Sequence, residues 1–179
     1  MYCVVDVQGF KQSDGKFVLK EFAMVTIDMK IVKHLEFVVK PPYPFKYLLK
    51  EHRSMNSSLT RNVHGISWDS GTISYEESRP YIRKLLKNAR TIYVRGSEKR
   101  VWLRSLLNVS VQVVDLKKLE CPSTRELKES LNYTCASDQY AMGFASAGEN
   151  VKLIRLWMLQ NNVAPQSAKK NFLQRILSM

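Results

Sequence analysis

Three antiparallel strands followed by helices and strands in alternation predict an α/β domain with a mixed sheet. Two observations carry that reading. Short apolar stretches punctuated by turns run as far as Val39, and helical spacing takes over beyond Pro41-Pro42-Tyr43-Pro44, where proline cannot donate to a strand ladder. The 179 residues are 45% hydrophobic and 25% charged, with only 7 Gly and 6 Pro, so a core of ordinary size is available and no linker divides the chain. Residues 1–179 are therefore expected to form a single domain.

The first strand is Tyr2-Cys3-Val4-Val5-Asp6-Val7, an apolar run that carries a carboxylate. Asp14-Gly15 is the best short-range turn signal, and it leads into a second strand, Phe17 to Ile27. Asp28-Met29-Lys30 turns the chain into a third strand, Lys33 to Val39. Beyond the prolines, Tyr81, Leu85 and Leu86 fall at helical spacing within a helix from about Ser74 to Lys87. A strand at Thr91–Val94, a helix from Glu98 to Leu107 and a strand from Val109 to Asp115 follow. Each of these later strands is preceded by a helix, as right-handed crossovers between parallel strands require. Ser123 with Glu126 three residues on reads as a capping box, and apolar stripes mark two closing helices, Glu149 to Gln160 and Ser167 to Leu177.

Composition excludes several classes. No stretch approaches the ~18–20 apolar residues of a membrane span, and the opening residues, with Asp6 among them, do not form a signal peptide. Three cysteines, Cys3, Cys121 and Cys135, are too few and odd for a disulfide scaffold, which places the chain in a reducing compartment, the cytoplasm or nucleus. The charge is lopsided: 28 Lys+Arg against 16 Asp+Glu give +12, which favours a polyanionic partner, nucleic acid before membrane. From Arg79 to Arg104 nine basic residues accompany one acid, Glu98. Arg79, Arg83, Lys84, Lys87, Arg95, Lys99, Arg100 and Arg104 from this segment are the candidate phosphate contacts. Tyr43, Phe45, Tyr47, Trp68 and Tyr75 are aromatic residues that either join the core or stack on splayed bases.

The order of elements resembles the ribonuclease-H-like fold, and within it the DEDD 3′–5′ exonucleases. Val4-Val5-Asp6-Val7-Gln8-Gly9 is similar to the family's opening Asp-x-Glu strand. Val63-His64-Gly65-Ile66-Ser67 is similar to the segment before its first long helix, and Val94-Arg95-Gly96-Ser97-Glu98 lies near its second motif. The resemblance implies strand order 3-2-1-4-5, three antiparallel strands and then two parallel. The Val4–Val7 stretch would be central and paired to Thr91–Val94, with Asp6 near the end of its strand and facing the helix that begins near Glu149.

The family's chemistry needs four carboxylates to hold two divalent metals. Here Asp6 occupies the first position, but Gln8 stands where the family has Glu, and Lys99, Arg100, Val101 and Trp102 stand where the second motif has Asp. Ala145 and Asn150 take the places of the third motif's His and Asp. One of five functional groups survives, so the expectation is no catalytic residues, no bound metal and no cofactor. Asp6 is then a structural acid that caps backbone or pairs with an Arg. The alternative is a metal-dependent nuclease using Mg2+ or Mn2+, with Asp6, Glu98, Asp115 and Glu149 converging as a substitute cluster. A more distant resemblance is to the Maelstrom domain, an inactive RNA-binding member of the same fold with a zinc cluster. This chain offers only Cys121, Cys135, Asp138 and Ser146, and has no His after Cys135, a ligand count that disfavours zinc.

The function these features imply is a catalytically inactive exonuclease-like domain that binds single-stranded nucleic acid, RNA before DNA. The rival is a protein-interaction module, assembling with a partner or a second copy through the apolar C-terminal helix at residues 167–178, which includes Phe172, Leu173, Ile176 and Leu177.

Overall fold

Val4 and Val5 are both fully buried, one toward each face of the sheet, so β1 (Tyr2–Lys11) has to lie centrally with cover on both sides. The structure, a computed structural model, describes residues 1–12, 16–27, 32–131 and 145–163. β2 (Phe17–Thr26) pairs antiparallel with β1, and β3 (His34–Val38) antiparallel with β2. After α1 (Lys50–Leu59) and α2 (Tyr75–Leu86), β4 (Thr91–Val94) returns parallel to β1. α3 (Ser97–Leu106) then leads to β5 (Gln112–Asp115), parallel to β4. α4 (Thr124–Ser130) and α5 (Ala147–Gln160) complete the described chain. The sheet order is β3-β2-β1-β4-β5, the α/β layout and mixed sheet that the sequence predicts.

Alternation along β1 divides the core into two layers. Cys3, Val5 and Val7 pack with Ile82 and Leu86 of α2 and Trp102, Leu103 and Leu106 of α3. Val4 on the opposite face packs with Leu127 of α4 and Val151, Ile154 and Met158 of α5. A third cluster gathers Phe10, Val18, Leu48 and Trp68 at the far end of the first hairpin. No helix among the described residues is long and apolar enough to cross a membrane.

Several expected boundaries move. β1 continues to Lys11, so Asp6 lies mid-strand rather than at its end, although the ladder to β4 stops at Val4. β5 starts at Gln112, because Val109 is 94% exposed and belongs to the preceding turn. α5 starts two residues earlier than expected, since Ser146 and Glu149 form a capping box. α1 is an addition to the expected order. Its sequence, KEHRSMNSSL, buries only Asn56, so it carries no apolar stripe to read. It runs into a π-helical turn, Thr60–His64, closed by Gly65 in the left-handed region at φ 69°. The turns at Asp14-Gly15 and Asp28–Lys30, the residues Cys135 and Asp138, and the helix at Ser167–Leu177 lie outside the described residues.

Candidate functional site

The carboxylate of Asp6 is 1% exposed and points from β1 toward the start of α5. Its Oδ2 accepts a hydrogen bond from Asn150 Nδ2 at 2.9 Å, and its Oδ1 accepts one from Lys99 Nζ of α3. The amide orientation of Asn150 follows from its neighbour, because a carboxylate has to be met by a donor. Two residues along β1, Gln8 Nε2 donates to the carbonyl of Ala145 at 2.7 Å. Asp6, Gln8, Lys99, Ala145 and Asn150 therefore converge at one place: β1 supplies two, the N-terminus of α3 one, the approach to α5 one and its first turn the last. The partner of Asp6 is a lysine and an amide instead of the expected Arg or backbone cap.

This donor set does not fit a pair of dications. It offers a single carboxylate, and that carboxylate already contacts an ammonium group, whose charge opposes a metal at the same distance. The other expected carboxylates have separate tasks. Asp115 is 5% exposed, and its Oδ1 accepts from the backbone N–H of Gly96 at 2.8 Å and of Lys117 at 3.0 Å, capping the 3-10 turn after β5. Glu98 points outward and pairs with Lys11 Nζ at 2.9 Å. Glu149 closes its capping box on Ser146, with Lys128 Nζ 3.9 Å away. Among the described residues no three His, Cys, Asp or Glu side chains gather as a metal-binding group.

Two further acids, which the sequence reading did not single out, seat the start of α5. Glu21 of β2 is buried and accepts the backbone N–H of Ala147 at 2.9 Å, a favourable placement at a helix N-terminus. Glu36 of β3 lays its exposed carboxylate against Gly148, where a Cβ would displace it. In sequence, the only available sign of Glu21 was an acid inside an apolar strand.

The eight candidate phosphate contacts separate into two groups. Arg79, Arg83, Lys84 and Lys87 are exposed along α2, and Arg83, Lys84 and Lys87 form no ion pair among the described residues. Positions 79, 83 and 87 repeat every four residues, about 100° round the helix from the buried stripe of Ser78, Ile82 and Leu86. The remaining four contact the fold. Lys99 serves Asp6, while Arg95 Nε donates to the Cys121 carbonyl at 3.1 Å. Arg100 Nε donates to Val113 at 3.2 Å, and an Arg104 guanidinium N–H donates to Val111 at 3.0 Å.

The aromatic residues also divide. Trp68 is 4% exposed and gives its indole N–H to the Tyr43 carbonyl at 2.9 Å, which removes it from the stacking candidates. Phe45 packs on it, whereas Tyr47 is 67% exposed beneath the Lys46 ammonium. His64, from the resembling His-Gly-Ile segment, is 2% exposed and packs edge-on against Phe10 at 4.9 Å. Its Nδ1 accepts the Ile66 backbone N–H at 3.0 Å. Burial lowers its pKa to about 4 against the opposing influence of the Gly9 backbone, so the ring is neutral at pH 7. Cys3 and Cys121 are buried free thiols whose pKa values burial raises to about 12 and about 11. No protein-family model matches this chain, and no curated protein matches it in sequence.

Proposed function

We propose that this protein is a non-catalytic exonuclease-like domain that binds single-stranded nucleic acid, RNA before DNA, along the basic face of α2. The observation that carries this reading is the division of its cations. Lys99 is turned inward onto Asp6, where the resembling enzymes would hold metal, while α2 presents four cations to solvent. An ammonium fixed on the one surviving carboxylate replaces the charge a metal would bring without supplying an open coordination position or an activated water. A row of exposed cations neutralises phosphates and releases their counterions, a source of affinity that needs no base sequence. The preference for RNA over DNA rests on the resemblance to the Maelstrom domain, and a cytoplasmic or nuclear location accords with such a partner.

Fluorescence anisotropy with a labelled single-stranded RNA tests the binding. The dissociation constant is expected to rise steeply with salt, its logarithm climbing by about 0.7 per phosphate contacted for each tenfold increase in salt. The triple variant Arg83→Glu, Lys84→Glu, Lys87→Glu is expected to abolish binding. Affinity that is flat between low and physiological salt refutes the nucleic-acid reading. Mg2+- or Mn2+-dependent degradation of the RNA that disappears in Asp6→Ala refutes the non-catalytic part.

A further inference from the structure

Where the first hairpin meets the start of α2, the surface opens into a cleft of about 490 Å3, within the size range of small-molecule sites. Four aromatic rings line it: Phe17 at the start of β2, Tyr43 after the prolines, Tyr75 at the start of α2 and Trp102 of α3. The rings are held by their neighbours. Phe17 meets Trp102 edge-on at 5.8 Å, and Tyr43 rests against Trp68 at 5.7 Å. Gln12 donates its side-chain N–H to the Tyr43 hydroxyl at the same wall. Because these contacts already hold the rings, an incoming flat ligand has little side-chain ordering left to impose.

Charge selects among flat or apolar ligands. Among the described residues, Arg79 and Lys16 line the cleft against one carboxylate, Glu76, so this part of the rim is net positive. A cage for a quaternary ammonium would show the opposite balance. Arg79, which also bonds the Tyr75 side chain, is the first member of the stripe that continues through Arg83 and Lys87. A strand whose phosphates follow that stripe arrives at the cleft with its next base.

We propose that this cleft is a subsite for one unstacked nucleotide of a single strand, its base among Tyr43, Tyr75 and Phe17 and its phosphate on Arg79. This inference rests on the reading of α2 as a nucleic-acid surface and adds a base-dependent component to it. The site lies beyond the far end of β1 from Asp6, and uses none of the residues that converge there.

The test compares two labelled ligands of equal length and phosphate number on the intact protein, an oligouridylate and its abasic ribose-phosphate counterpart. The oligouridylate is expected to bind at least about fivefold more tightly, the lower end of what stacking a base on an aromatic ring contributes. Tyr43→Ala is expected to erase that preference while leaving the affinity for the abasic strand unchanged. Equal binding of the two strands by the native protein overturns the subsite and leaves the α2 surface standing, an outcome that depends on no variant folding. Failure to bind either strand overturns both. Uridine monophosphate binding as tightly as the oligomer would assign the cleft to a free nucleotide and overturn the strand subsite.

Discussion

α2 and α3 pack into the same core layer on one face of the sheet and carry a similar density of positive charge, yet they use it differently. α3 directs Lys99 to Asp6, Arg100 to the Val113 carbonyl and Arg104 to the Val111 carbonyl. α2 faces its core with Ser78, Ile82 and Leu86 and leaves Arg79, Arg83, Lys84 and Lys87 in water. The cause is position. α3 lies against β5, the outermost described strand, whose carbonyls are within reach of its long side chains, whereas Arg83, Lys84 and Lys87 of α2 point away from the sheet that Ser78, Ile82 and Leu86 face. Part of the α2 pattern also serves the helix, with Glu76 and Glu77 in its first turn and Arg83 and Lys84 in its last. A cation count therefore overstates a binding surface until each cation's acceptor is known.

Lys20 is the extreme case of a cation held by the fold. It is fully buried in β2, and its ammonium donates to the carbonyls of Val39 at 2.6 Å, Trp68 at 2.7 Å and Ser70 at 2.6 Å. Burial pulls its pKa down to about 8, opposed by the Asp69 carboxylate, so at pH 7 it keeps the three donors that its three acceptors require. Lys20→Met is expected to have the largest effect of the changes considered, a loss of roughly 3–4 kcal/mol in urea unfolding, because three carbonyls lose their donor. A loss below roughly 1 kcal/mol would show that water takes over these bonds.

Asp6→Ala is next. It leaves Lys99 and Asn150 without their common acceptor, and a stability loss of roughly 2–3 kcal/mol is expected, somewhat less than the ~3–5 kcal/mol of a fully buried broken pair because Lys99 can turn to solvent. RNA affinity of the folded protein is expected to be unchanged, and a matching loss of affinity would join the two regions into one site.

His64 is a basic side chain kept neutral. Its native pKa of about 4 lies below the unfolded value of 6.5, so the unfolded state takes up the proton first as pH falls. The stability this contributes is complete above pH 6.5 and is lost between pH 6.5 and 4, roughly 1–2 kcal/mol of it by pH 5. Thermal unfolding at pH 7 and pH 5 should show that descent in the native protein and a shallower one in His64→Phe.

The smallest stability effect belongs to the α2 triple reversal. Arg83→Glu, Lys84→Glu, Lys87→Glu should cost about 1 kcal/mol, because exposed charges without ion-pair partners contribute little and the main loss is the reversed charge of Arg83 and Lys84 at the helix C-terminus. A larger loss would move these residues into the same class as those of α3.

The sheet was legible because each strand is short, apolar and closed by a turn or a crossover. The start of α2 at Ser74 and the capping box of Ser123 with Glu126 were legible too, since both follow from local chemistry. Ser146-x-x-Glu149 carried the same signal two residues ahead of the predicted helix start. α1 was hidden because its one buried residue is an asparagine. The site was legible in its membership: Asp6, Gln8, Lys99, Ala145 and Asn150 could be named from the order of motifs. Their bonding could not, because nothing local distinguishes Lys99, which reaches a carboxylate across the sheet, from Lys87, which reaches water. Lys20 and Glu21 were missed for a related reason. A charge inside an apolar strand reads as a solvent-facing position until the loop or helix that covers it is known.

The contacts of Arg100 and Arg104 bear on how this protein behaves at high concentration. β5 ends the sheet, and in a ladder with β4 the Gln112 N–H turns inward to Arg90, so the carbonyls of Val111 and Val113 face outward. An outermost strand with open carbonyls is a template on which another chain can add its own strand and begin a polymer. Here each of those two oxygens already receives a guanidinium N–H, and the charge attached to it repels a second copy of an equally basic molecule. Arg100 and Arg104 thus occupy the acceptors through which this border of the described sheet would template a further strand.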